Sequence, residues 1–339
     1  MKLRACLFFY VVTLVARAQT CAPARSAAKA LDEGNAAQAE RILAPYETSA
    51  LPCNEILLSL ARLRAAQKQF RAAETLFARY MAMAPQDANG PLQFARFLFS
   101  TGEYPRADEM SAKAVSLDGS NAGALALQGQ LLVMKGEAAK GQLLLEQACK
   151  VDPSNAEAHF QLGSLMDRQK QNAKAVEQFQ KVVALQPKNP RAYDYLALNL
   201  EPLGDIEKAG QAYEKAVQVN DGPQFDSFLD YNYGRFLMKR NRLAESKKHL
   251  DRAVELTPSV RAVRYERGKL NFRLGNYADA RIDAESALSL PDPGKVIIEL
   301  QVYNLLQLIY TRLGEQELSR KYAELSRNTP VPLRSESSR

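Results

Sequence analysis

Apolar residues recur at steps of three and four along most of the chain, interrupted at short intervals by Gly, Pro and Asn, and no stretch alternates strictly enough to read as a strand. That periodicity predicts amphipathic helices, and the interruptions group them in pairs. In frames beginning at 20, 54, 88, 122, 156, 190, 227, 261 and 300, the eighth place is small in all but the last: Ala27, Ala61, Ala95, Gly129, Gly163, Ala197, Gly234 and Gly268, then Gln307. The twentieth place is small throughout, from Ala39 and Ala73 to Ala280 and Ser319. Small residues at both places let two helices cross closely, and Phe77, Phe179 and Tyr213 at the twenty-fourth fill the space beside the crossing. Gly34, Gly102, Gly136, Gly204, Gly275 and Gly314 mark the turn inside a frame, where a left-handed residue ends the first helix. Pro85, Pro153, Pro187 and Pro258 stop the second. One pair cannot bury its apolar face alone, so a fixed period of this length predicts a stacked array.

The first six frames follow one another every 34 residues, and two insertions then lengthen the links. Asp221-Gly222-Pro223 precedes frame seven and Pro291 to Lys295 precede frame nine, both with the composition of turns. The expected organisation is therefore repeats one to six over 19–226 and repeats seven to nine over 227–328. The tail 329–339, with Pro330, Pro332 and three serines, is expected to be disordered. At the other end, Met1-Lys2-Leu3-Arg4, an apolar run and Ala16-Arg17-Ala18 have the form of a cleaved signal peptide over 1–18. That run is far shorter than the ~20 apolar residues needed to cross a bilayer. The expectation is a periplasmic or secreted protein with no stable membrane span.

The frames resemble the tetratricopeptide repeat, whose motif combines L-G and an aromatic in the first helix with A, F, A and P in the second. Leu162-Gly163, Ala175, Phe179 and Pro187 match it, as do Tyr233-Gly234, Ala253 and Pro258. The family's Trp is absent, since the chain has none; His159 and Tyr193 stand at that fourth place. The resemblance implies an all-α fold, a right-handed superhelical α-solenoid of about nine helix-turn-helix repeats, and a binding scaffold.

Charge and chemistry narrow the function further. The formal charge of +7 falls to +4 without residues 1–18, which carry Lys2, Arg4 and Arg17 and no acid. Residues 19–226 hold 22 Lys and Arg against 24 Asp and Glu, whereas 227–328 hold 18 against 13, so the positive charge is concentrated late in the chain. Without an aromatic-basic RNA motif, and in an exported chain, nucleic acid is not the expected partner. The chain has no His or Cys pair at metal spacing, no Gly-rich phosphate loop and no nucleophile elbow, so no cofactor and no catalysis are expected. His159 reads as a packed core residue and His249 as solvated. In an oxidising compartment Cys21 and Cys53, at the starts of adjacent first helices, could form a disulfide. The ~8 to 10 Å between packed helix axes against ~4.4 to 6.8 Å between bridged Cα atoms leaves the free-thiol alternative equally open.

In tetratricopeptide arrays, places 2, 5, 9, 12 and 13 of the first helix line the concave face. Frame seven puts Tyr231, Arg235 and Lys239 there; frame eight puts Tyr265, Lys269, Phe272 and Arg273; Arg62, Arg96 and Arg312 come from frames two, three and nine. Arg235 with Lys239, and Lys269 with Arg273, are like charges one turn apart, which costs a helix ~0.2 to 0.5 kcal/mol per pair. An anionic guest would offset that cost; so would Asp230 and Glu266 nearby. Clamp-type members of the family hold a terminal carboxylate with Lys and Asn, and the Asn partners are missing here. The leading expectation is a cell-envelope scaffold that binds an acidic or C-terminal peptide of a partner protein in this groove. The alternative is a spacer or assembly adaptor in an envelope, secretion or polysaccharide-export complex, using its convex face or terminal repeats.

Overall fold

The computed structural model describes residues 21–47, 53–221, 225–294 and 296–330. The expected signal peptide, Gly222, Pro223, Lys295 and the tail from 331 onward lie outside the described residues. Among the described residues stand eighteen α-helices and no strand, and the helices fall into nine consecutive pairs. The pairs are α1 (Ala22–Asp32) with α2 (Ala36–Leu43), α3 (Asn54–Ala66) with α4 (Phe70–Met83), α5 (Asn89–Ser100) with α6 (Tyr104–Leu117), and α7 (Ala122–Met134) with α8 (Ala138–Val151). They continue with α9 (Ala156–Arg168) and α10 (Asn172–Leu185), α11 (Pro190–Leu200) and α12 (Ile206–Val219), and α13 (Leu229–Lys239) and α14 (Leu243–Leu256). The last are α15 (Arg261–Arg273) with α16 (Tyr277–Ser289) and α17 (Glu299–Leu313) with α18 (Gln316–Asn328). This is the α-solenoid architecture of helical repeats. Two compact units are distinguished, 1–165 and 166–339, a division that falls inside α9 and not at the insertion before residue 227.

Local chemistry sets the helix boundaries. Asn121 and Asn155 cap α7 and α9 by accepting from the backbone N–H groups of Ala124 and Ala158, each at 3.0 Å. Asn189 caps α11 in the same way through Ala192 at 3.1 Å. The turn inside a pair is left-handed in every frame: six are the expected glycines, and the other three are Lys68, Lys170 and Asn241, each at φ 60°. A side chain there costs ~1 to 2 kcal/mol, so the tertiary packing of these pairs, and not the turn residue, holds the geometry.

In unit 1, the small places do what the pattern requires. A Cβ on Gly141 would lie 2.6 Å from the carbonyl oxygen of Gly129, so α7 and α8 cross backbone to backbone. Phe77 is buried, with its ring 5.3 Å from Phe94 and 5.6 Å from Phe97 of the following first helix. In unit 2, Ser246 donates to the carbonyl of Gly234 at 2.8 Å across the α13–α14 crossing. Tyr213 is buried with its ring 5.2 Å from both Tyr233 and Phe236.

Both insertions fall within unit 2, and described residues beside each are joined by hydrogen bonds. Asn220 bonds both backbone groups of Asp226, accepting from its N–H at 2.7 Å and donating to its carbonyl at 2.9 Å. Arg261 donates to the carbonyls of Leu290, at 2.8 Å through Nε, and Ile297, at 3.3 Å.

Candidate binding surface

First helices of successive pairs approach one another: α1 meets α3, α3 meets α5 and α5 meets α7 in unit 1, and α11 meets α13, α13 meets α15 and α15 meets α17 in unit 2. Within each unit, second helices also contact the first helix of the next pair. Each unit therefore has an inner face made of first helices, and the sequence-predicted residues lie on those helices.

On the inner face of unit 1, Arg62 pairs with the Asp32 carboxylate of α1. Arg96 of α5 is reached by solvent, yet its guanidinium is held below the usual arginine value, first by burial and then against the opposing pull of Glu157. Gly123 on α7 leaves room for the guanidinium, since a Cβ there would come 3.1 Å from Arg96 Nη2.

On α13 and α15 of unit 2, the cations and rings alternate as expected. Arg235 lies over the Tyr231 ring and Lys269 over the Tyr265 ring, each 5.3 Å from the centroid. Burial pushes the Tyr265 hydroxyl up to about 12. The like-charge cost, however, is met within the protein. The Glu266 carboxylate, 6% exposed, lies 2.9 Å from Lys269 Nζ and 4.0 Å from Arg235 Nε. Lys239 pairs at 2.9 Å with Glu201, which also accepts from the Tyr213 hydroxyl at 2.8 Å. Arg273 donates to the Met238 carbonyl at 2.7 Å and to Asn241 Oδ1 at 3.0 Å. The inference that these pairs need an anionic guest is thereby corrected: acids one frame away answer Arg235 and Lys239, Glu266 of the same helix answers Lys269, and neutral oxygens of the preceding frame answer Arg273. Phe272 is half-buried with its ring 5.5 Å from Tyr277, and Arg312 on α17 is exposed with no ion pair among the described residues.

Two further expectations change. His249 is not solvated: its Nδ1 lies 2.6 Å from Asp230, which also holds Arg252 at 3.3 Å, and its ring lies 4.7 Å from Tyr233. Asp230 is therefore unavailable to the inner cations. Cys21 and Cys53 are not bridged in this structure. The reason is local: Cys21 turns its thiol to the Glu55 carboxylate, so that both sulfurs and that oxygen lie within 4.8 Å of one another. Burial, followed by hydrogen bonds to Cys53 and Glu55, pushes the Cys21 thiol up to about 12. His159 is a core residue, 2% exposed and 3.1 Å from the Pro153 carbonyl.

Sequence reasoning missed an acidic site on the inner face of unit 2. A cavity of about 450 Å³ opens between α11, the 225–228 segment and α13, with Asp167, Asp194 and Asp226 among its lining residues. Asp167 and Asp194 occupy the twelfth place of frame five and the fifth of frame six. The same spacing that located Arg235 and Lys269 would have found them. Asp226 could not be placed so, because it comes from the insertion. Burial, followed by the neighbouring Asp226 charge, raises the Asp194 carboxyl well above the ordinary aspartate value.

The sequence model of the tetratricopeptide repeat family matches residues 126–190, 164–224 and 231–294. No curated protein matches the chain. Among solved structures, Pseudomonas aeruginosa PilF is 20% identical with a TM-score of 0.54, covering 61% of this chain and 91% of that one. PilW, described as a widely conserved type IV pilus biogenesis factor, is also 20% identical, with a TM-score of 0.52 over 62% of this chain and 94% of that one. Human IFIT1, solved as a dimer with PPP-AAAA, is 15% identical with a TM-score of 0.56 over 88% of this chain and 80% of that one. At these identities the likeness is one of fold. No described helix is long and apolar enough to cross a membrane.

Proposed function

Because the chain is a tetratricopeptide-repeat protein, we propose that it is a non-enzymatic scaffold that binds a peptide segment of a partner protein along the inner face of its first helices. One observation carries this reading: Tyr231 under Arg235 and Tyr265 under Lys269 form a row of half-buried rings and cations on adjacent first helices. Rings supply anchoring area at low entropic cost, and cations held over them add directional polar contacts. Acidic side chains or a terminal carboxylate of the guest would meet Lys239, Lys269, Arg273 and Arg312 in unit 2. Internal pairing lowers what each contact contributes, so the rings would anchor and the charges select. The signal-peptide pattern of residues 1–18 supports a place in a bacterial cell envelope, periplasmic or secreted.

Reversing Arg235, Lys269 and Arg273 together to Glu should remove the bound partner from a pull-down of the mature chain. An unchanged partner set would contradict the groove. The pairing of inner cations with Glu201 and Glu266 favours a second reading, a spacer or adaptor that uses its convex face or end repeats. On that reading the triple reversal is silent and deleting frames eight and nine abolishes association. Sequencing the N-terminus of the protein from fractionated cells tests export: Gln19 as first residue, outside the cytoplasm, is expected, and Met1 in the cytoplasm would refute it.

A further inference from the structure

Asp194 is buried on the inner stripe of α11, at 1% exposure. Its Oδ2 accepts from Asn232 Nδ2 at 2.8 Å, and its Oδ1 has no N–H or hydroxyl donor among the described residues, while the Asp226 carboxyl stands within side-chain hydrogen-bonding reach of the group. A carboxyl group in such a place is costly: burying it without a cation or a full set of donors destabilises the fold, whereas an apolar side chain would not. Asp226 faces it from the insertion, held there because Asn220 clips its backbone and because Asp226 Oδ1 itself accepts from the Phe228 N–H at 2.9 Å. The two acids belong to the lining of one cavity of about 450 Å³, within the ~300 to 1,000 Å³ typical of ligand sites. Tyr195 and Tyr231 add aromatic wall, and the exposed Phe225 and Phe228 stand in the same lining. Arg191 is the cation of that lining, its guanidinium 5.9 Å from the Tyr195 ring centroid. With Asp167, the lining holds three acids and one base. Acids behind rings, with an unpartnered carboxylate oxygen at the base, are complementary to a cation with an apolar stem.

We infer that this cavity receives a Lys or Arg side chain of the bound peptide, its charged head between Asp194 and Asp226 and its methylene stem against Phe228 and Tyr231. The assignment rests on the inner face being the peptide-binding surface, and it adds the chemistry of one contact. It also predicts mixed charge in the guest: a basic residue at the cavity, and acids toward Arg235, Lys269 and Arg273. Asp194 faces Asp226 from the loop, Asn232 from α13, Glu201 at the end of α11 and Tyr213 from α12, while Arg191 on α11 is the cation in the same cavity lining. Burial, followed by the Asp226 charge, raises its carboxyl, so an arriving cation displaces a proton to solvent, and affinity rises as pH climbs through the Asp194 titration.

The test has two arms on the mature full-length chain. In the first, a random peptide phage library is selected on wild type and on Asp194→Asn. Enrichment of Lys or Arg at one fixed position, about tenfold over the variant, is expected. Enriched peptides without a basic position would overturn the cavity assignment while leaving the groove intact, and no enrichment at all would overturn both. In the second, N-acetyl-argininamide and its neutral isostere N-acetyl-citrullinamide are titrated in thermal-shift assays. Stabilisation by the cation alone, lost in Asp194→Asn, is expected; an equal response to both would contradict the assignment. Should Asp194→Asn not fold, Asp226→Asn carries both arms. Spermidine binding in preference to every selected peptide would make the cavity a free-polyamine site and refute a peptide occupant.

Discussion

Two aspartates of unit 2 are equally buried, each 1% exposed, and stand in opposite circumstances. Asp283 on α16 is enclosed by donors: Arg267 reaches it at 2.7 and 2.8 Å, Arg264 at 3.2 Å and Asn271 at 3.2 Å. Asp194 on α11 has one amide donor and another carboxylate for company. The first is a closed network that joins α15 to α16. The second retains a polar oxygen without a partner beside a cavity. A buried acid whose partners are all present belongs to the architecture, and one whose partners are missing is available to a guest.

The largest test of that contrast is Asp283→Ala, which leaves Arg264 and Arg267 without their shared acid. It should cost ~3 to 5 kcal/mol in urea unfolding, and a loss under ~1 kcal/mol would show that the network is dispensable. Asp194→Asn should act with the opposite sign. A carboxyl raised in the folded state means that the native chain holds a proton the unfolded chain has already released, so stability is full below the unfolded pKa and declines as pH rises through the folded one. The amide cannot ionise, so the variant should lose this slope. It should be more stable than wild type by ~1 to 3 kcal/mol once Asp194 would have ionised, the scale of an unsatisfied buried polar group. Melting curves at about pH 4 and about pH 8 check the sign, and a variant less stable at both would make Asp194 structural. Glu266→Gln is the gentlest probe. Its partners are partly exposed, so stability should change by ~1 kcal/mol or less. Affinity for an acidic peptide should nevertheless rise, by about two- to fivefold in titration calorimetry, as Arg235 and Lys269 are released. A fall would place Glu266 among the binding groups.

Periodicity made the helix pairs legible because each depends on contacts within one frame or to the next. Gly141 against Gly129 and the buried rings of Phe77, Phe179 and Tyr213 are consequences of spacing alone. Arg235 and Lys269 lie on first helices that contact each other, as their places in the frame require. Charge balance was legible only in part. Glu266, three residues before Lys269, reads from the sequence as an offset, whereas Glu201 and Lys239 are 38 residues apart, so their cancellation depends on side-chain reach across frames. Asp226 depends on how Asn220 folds an insertion that has no counterpart in the repeat. His249 looked solvated because its partner Asp230 lies on the other helix of its pair.

The central claim is that the inner face, and not the outer one, holds the partner. A photocrosslinking residue in place of Tyr231, between the cavity and the basic row, can be compared in cells with one at the exposed Lys248 of the second helix α14. Mass-spectrometric mapping should find one defined segment of a partner joined at position 231, none at 248, and a weaker yield when Asp194 is also Asn. A segment joined at 248 with position 231 silent would contradict the account.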